Sequence, residues 1–273
     1  MGKHPVISIS LKGINAASYE AAFELTVKTI KGAVEKAGFL KMSDKLDEDE
    51  KKEYRAILDE NMSEATLFWS LKNLSELLEK HYETKVILLI DEYDVPLAKA
   101  FENGYYDKMV FLIRNLLEQT LKTNNSLKFA VMTGCMRISK ESIFTGLNNL
   151  KVLSITDERF DEYFGFTDED VKEMLRYYDR EDHYEEMRNW YDGYRFGSTD
   201  VYCPWDVLNH CDKIKENAAA FPENYWVHTS SNEAVKKIIQ MSGNITTKRE
   251  IERLLAGEEI VKEIRQELTY QEM

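Results

Sequence analysis

Cysteine and proline are both scarce in this sequence, with three Cys and four Pro among 273 residues. Cys135, Cys203 and Cys211 are odd in number and show no CxxC spacing. Neither a disulfide framework nor a thiolate zinc site is suggested, and a reducing, cytoplasmic setting is expected. Positive charge is in deficit as well: 36 Lys plus Arg face 49 Asp plus Glu, a formal charge of −13. Such a field repels phosphate backbones, so nucleic acid is not the expected partner. Long apolar runs are missing. Val86–Ile90 is as long as any, against the roughly 20 residues that span a bilayer, and no charged segment leads into an apolar one at the amino end. No membrane association is expected. His4, His81, His183, His210 and His228 stand without HxxxH or HExxH spacing, which gives a catalytic metal held by histidine little support.

Apolar residues make up 43% of the chain, enough for a sizeable core. Pro5–Leu11 alternates β-branched residues with serine and reads as a strand. From Ser18 to about Lys36 apolar residues recur at helical spacing, with Ser18 as N-cap and Gly38 as a stop. The acidic, lysine-rich stretch Ser43–Lys52 reads as a solvated connection, and helices follow over roughly Glu50–Asn61 and Ser63–His81. Val86–Ile90 is an unbroken apolar strand of the kind buried on both faces of a parallel sheet. A helix over Tyr106–Lys122 and strands over Leu127–Thr133 and Val152–Ile155 complete an alternation that predicts a parallel α/β sheet. Past residue 156 helices dominate. Thr167–Asp170 reads as a helix start, Trp190–Gly197 as a tight turn or small hairpin, and Pro204 as the start of a helix; Ser231–Met241 and Thr247–Leu255 also read as helices.

The sharpest chemical signal is the apolar strand that ends in Asp91-Glu92. At the carboxyl end of a parallel strand, where open α/β sheets bind ligands, the first carboxylate can hold Mg²⁺ through its water shell. The second can orient an attacking water. A plain surface loop is the competing reading, and for Asp94 a loop or helix-cap role competes in the same way. The next strand delivers Thr133 and then Arg137, a polar group and a cation placed to sense a γ-phosphate; pairing of Arg137 with a nearby carboxylate such as Glu141, one turn on, accounts for it more simply. Trp190, Tyr191, Tyr194, Phe196, Tyr202 and Trp205 could stack on a base, though a small aromatic core bracing the hairpin accounts for them more simply. Cys135 follows a strand end and is read as an incidental thiol.

Taken together, VILLIDEYDVPL (Val86–Leu97), TGCMRISKESIFTGLN (Thr133–Asn148), FGFTDEDV (Phe164–Val171) and WYDGYRFGSTDVYCP (Trp190–Pro204) resemble the bacterial AAA-ATPase-like family. Its members look like STAND-related P-loop ATPases, often followed by a domain similar to PD-(D/E)xK nucleases. The resemblance implies a P-loop NTPase-type fold with ATP and Mg²⁺ as cofactors, Asp91 on the metal, Glu92 on water, and Thr133 and Arg137 as sensors. One departure stands out. The family's phosphate-binding loop ends in Gly-Lys-Ser or Gly-Lys-Thr, and no GxxxxGK[ST] occurs here. In the 5-1-4-3-2 strand order of such ATPases the strands above would be 2, 3, 4 and 5. The chain thus looks like a fragment lacking the first strand, with weak nucleotide binding and no activity alone. The nuclease signature is missing too, since no Pro precedes an Asp and Glu50-Lys51-Lys52 sits in a helical stretch.

The expectation is therefore an α/β fold: a three-layer, partial P-loop core over residues 1–156 and a mainly helical lid or interaction region with an aromatic hairpin over residues 157–273. The competing function is a non-catalytic scaffold that binds a protein partner through the helical region.

Overall fold

The computed structural model describes residues 2–135, 147, 150–226, 249–250, 252–254 and 256–261. Two compact units divide the chain, one built on Met1–Leu150 and the other on Lys151–Val261.

The first unit runs β1 (Val6–Ser10), α1 (Tyr19–Glu35), α2 (Glu48–Ile57), α3 (Glu64–Tyr82), β2 (Val86–Asp91), α4 (Val95–Glu102), α5 (Tyr106–Leu121) and β3 (Leu127–Met132). Local chemistry sets the helix starts. The Ser18 hydroxyl accepts from Ala21 N at 3.3 Å and the Ser63 hydroxyl from Thr66 N at 3.1 Å, each satisfying an amide that has no partner within its helix. The acidic stretch read as a connection is partly helical. Asp47 and Glu50 form a reciprocal capping box that starts α2 two residues ahead of the predicted Glu50. Helix α4, not anticipated, follows Asp94 at its N-cap position with Pro in its first turn.

All three strands are parallel, in the order β1-β2-β3. That is the adjacency expected for strands 2, 3 and 4. The register makes four cross-strand pairs point inward: Ile7 with Leu88, Ile9 with Ile90, Leu88 with Ala130, and Ile90 with Met132. These side chains share one core with the buried faces of α1, α3 and α5. Helices α1 and α3 pack on the strands and on each other, and α3 packs on α5. The alternate residues of each strand face the other way, and there Val6, Leu89, Phe129 and Val131 are 37–52% exposed. The expected three layers are thus two among the described residues. Strands that step in one direction through right-handed crossovers place every connecting helix on the same face.

Val152–Ile155, predicted as a fourth strand, is not one. A strand is held by a neighbour's backbone groups, and this segment instead gives the Ile155 carbonyl to Gly197 N at 2.8 Å and takes Asp157 as acceptor for Ser154 N at 2.7 Å. It belongs to the second unit.

That unit contains α6 (Asp168–Tyr177), α7 (Tyr184–Tyr191), the antiparallel hairpin β4 (Asp192–Phe196) and β5 (Thr199–Tyr202), and α8 (Pro204–Glu216). Thr167 and Asp170 form the capping box of α6, and Pro204 opens α8. Gly197, at φ +52°, makes the hairpin turn; a Cβ there would lie 2.6 Å from the Asp157 carbonyl. The predicted helix Ser231–Met241 lies outside the described residues, while residues 249–250 and 252–254 are helical. Among the described residues no helix is long and apolar enough to cross a membrane.

The second core is small: Val171, Leu175, Met187, Tyr191, Tyr202, Val207, Cys211 and Ile214. Of the aromatic group only Tyr191 and Tyr202 are buried, and Trp190, Tyr194 and Trp205 stay about half exposed. Asp168 is the polar anchor. It accepts from Tyr184 Oη at 2.7 Å and Tyr202 Oη at 2.8 Å and pairs with Lys172. Burial alone would raise its carboxyl, but the hydrogen bonds from Lys172, Tyr184 and Tyr202 outweigh it and hold the group below the usual range. A depressed folded value means stabilisation that is present above the unfolded value of about 4 and is lost as pH falls through the folded one. Asp168→Ala is expected to cost roughly 1–3 kcal/mol at neutral pH, because it leaves the buried Tyr202 hydroxyl without its acceptor. Urea titrations of both proteins should show that difference shrinking below about pH 4.

Candidate functional site

The outward-facing rows of the sheet change character toward its carboxyl edge. Val6, Ile87 and Phe129 make the first row and Ser8, Leu89 and Val131 the second. The next row is polar: Ser10 pairs with Asp91, and Thr133 follows the last residue of β3 on the same side. Parallel pairing sets these three side by side, since residues two apart on each strand share a face.

Hydrogen bonds close the row. Thr133 Oγ1 donates to Asp91 Oδ1 at 2.5 Å, and Ser10 Oγ donates to Asp91 Oδ2 at 3.5 Å. The backbone continues past the strand ends, with Thr133 N on the Ile90 carbonyl, Tyr93 N on the Thr133 carbonyl and Leu11 N on the Asp91 carbonyl. Asp91 is exposed and Glu92 half-buried. Glu92 sits at φ +52°, a left-handed conformation that costs a non-glycine residue of order 1 kcal/mol and turns the chain sharply off the strand. Its carbonyl receives Val95 N at 3.3 Å and its carboxylate lies 3.5 Å from Lys12 Nζ. Asp94, 4% exposed, occupies the N-cap position of α4, but its side chain makes no capping hydrogen bond to the helix.

Gly134 lets this corner close. A Cβ on it would come 2.7 Å from both Asp94 Oδ1 and the Tyr93 ring. Cys135 follows, its thiol pushed up by burial and then by the charges of Asp94, Glu92 and Asp91. That keeps it protonated and speaks against a nucleophile.

Of the predicted site residues, Asp91, Glu92 and Thr133 come together at one edge, and Arg137 lies outside the described residues, as does Glu141. Sequence reasoning missed Ser10 and Lys12. The serine alternation along β1 is visible, but its meaning depends on the register with β2. Ser10, Asp91 and Thr133 form an all-oxygen donor set, the chemistry a hard cation such as Mg²⁺ takes. Two surface clefts lie elsewhere, one lined by Glu50, Glu53, Glu76 and Glu79, the other by Arg188, Asp192 and Arg195. The first is too acidic to receive a polyphosphate.

Residues 1–144 match the AAA-ATPase-like family, described as predicted AAA-ATPase. An Azotobacter chroococcum mcd 1 protein, described as an uncharacterized protein in the vnfD 5′ region, is 33% identical over a match that covers 45% of this chain and 24% of that relative. The chain therefore spans about a quarter of the relative it matches. No solved structure matches.

Proposed function

The chain belongs to the AAA-ATPase-like family, and on that premise we propose that its first unit carries the metal-binding and water-orienting edge of an ATPase site. The observation that supports this most is the polar row Ser10, Asp91 and Thr133 at the carboxyl ends of three parallel strands, with Glu92 beside it. Asp91 would hold Mg²⁺, directly or through water, with the Thr133 hydroxyl fixing the carboxylate's orientation. Bound Mg²⁺ would offset the charge of the nucleotide's phosphates. Glu92 would take a proton from the attacking water, and its carboxylate lies 3.5 Å from Lys12 Nζ. Arg137 is proposed as the phosphate sensor.

The sequence carries no GxxxxGK[ST] loop, and without that cradle of amides and lysine the acidic edge alone holds a polyphosphate poorly. Calorimetric titration with Mg²⁺-ATP is expected to give a Kd weaker than about 100 µM, and Asp91→Ala to remove what binding there is. Micromolar binding that survives Asp91→Ala would place the site elsewhere and sink the assignment.

A second reading, a scaffold that holds a protein partner through the second unit, is favoured by exposed apolar groups there: Tyr163, Phe164, Tyr177 and Phe221 are 66–83% exposed. A scaffold keeps its partner when Asp91 is replaced, whereas an ATP-driven switch does not. Co-purification with the wild-type and Asp91→Ala proteins separates the two.

A further inference from the structure

Three side chains in the second unit, two of them three residues apart and the third 24 residues on, converge on a single point. His183 ends the short turn Glu181–His183, Glu186 lies on the first turn of α7, and His210 lies in the middle of α8. His183 Nδ1 is 3.1 Å and His210 Nε2 3.0 Å from the same oxygen, Glu186 Oε1. All three atoms lie within 4.8 Å of one another. We propose that His183, Glu186 and His210 form a transition-metal site, with Zn²⁺ as the fitting ion, that ties α7 to α8 and leaves one coordination position open.

The donor set is the first argument. Two imidazoles and one carboxylate suit zinc, which takes three protein ligands where a fourth position stays open to water. Geometry is the second. Tetrahedral bonds of about 2.0–2.2 Å put neighbouring ligand atoms roughly 3.3 Å apart. The two contacts with Glu186 are already within a few tenths of an ångström of that edge, and the ligand atoms of the two histidines lie within 4.8 Å of each other.

Burial is the third. His210 is wholly buried and His183 is 9% exposed, while the Glu186 side chain keeps 34% of its surface. The centre is thus walled by protein on the histidine side and reachable past the carboxylate. The Tyr191 ring stands 5.6 Å from the His210 ring and forms part of that wall. His210 Nδ1 is buried with no hydrogen-bond partner among the described residues, so the ring's polar engagement is with this centre alone. His183 Nε2 lies 4.0 Å from the exposed Asp182 carboxylate, beyond hydrogen-bond reach.

The same atoms can instead form a histidine–carboxylate–histidine hydrogen-bonded triad, and the test separates the two. The full chain, freed of metal with a chelator, is titrated with Zn²⁺ against a chromophoric competitor while its thermal midpoint is followed. One equivalent should bind and raise the midpoint by several degrees, because an ion that binds only the folded state stabilises it by mass action. Glu186→Gln, which keeps the side chain's shape, and His183→Ala should each weaken binding by more than about a hundredfold, beyond the loss typical of outer-shell changes. Circular dichroism confirms that both variants are folded. A folded wild-type chain that takes up no Zn²⁺ overturns the proposal in favour of the triad, and so does binding that both substitutions leave unchanged.

Discussion

Leu88→Ala should destabilise the first unit by about 2–5 kcal/mol, and Leu89→Ala, one residue on, by about 1 kcal/mol or less. Both leucines lie in the central strand, and nothing local distinguishes them in the run Val86–Ile90. The register does. Leu88 is wholly buried between Ile7 and Ala130 beneath the helices, so truncating it leaves a cavity in a packed core as well as lost apolar burial. Leu89 faces outward and is 37% exposed, so its neighbours give up little when it is shortened. Urea unfolding monitored by circular dichroism reads both values. Equal losses would mean that the outer face is as well covered as the inner one, and the two-layer description would fall.

Gly134→Ala should cost roughly 1–3 kcal/mol, a large effect for one methyl group. The added Cβ would sit 2.7 Å from Asp94 Oδ1 and 2.7–2.9 Å from two atoms of the Tyr93 ring. Neither neighbour yields cheaply, since Tyr93 is 8% and Asp94 4% exposed and both are fixed by the turn into α4. Relief has to come from the backbone at Gly134, and Thr133 is its immediate neighbour. The variant is therefore also expected to lose the Thr133–Asp91 hydrogen bond and with it the fixed orientation of the Asp91 carboxylate. Chemical denaturation gives the stability change, and Mg²⁺ titration gives the effect on the edge. A variant as stable as the wild type would show that the corner is looser than these distances imply.

Both predictions rest on arrangements that become visible only once strands are paired, whereas much of the local structure is written in short stretches of chain. Ser18, Ser63 and the Thr167–Asp170 pair announce helix starts because a cap acts on amides two or three residues away. Pro204 opens α8 for an equally local reason, its fixed φ and missing N–H. The β2 run that ends in Asp91-Glu92 is legible in the same way, so two members of the candidate site stand out in the amino-acid sequence itself. Asp47–Glu50 shows how such a signal is lost: the capping box is present, but the density of charge around it reads as a loop.

Other features could not be read along the chain. Val152–Ile155 has the composition of a strand, yet a strand exists only where a neighbour supplies backbone donors and acceptors, and here Gly197 takes that role with one bond. Ser10 meets Asp91 through a register that joins residues 81 positions apart, and the same register leaves Val131 and Phe129 on the open face. His183 and His210 have no motif spacing, and they face one carboxylate because α7 and α8 pack side by side. Capping, turn and periodicity preferences act over a few residues, so this sequence states them directly. Which face of the sheet is covered, and which distant side chains meet, follow from the order of the strands and the packing of the helices, where the free energy of burial is shared among residues that no short stretch contains.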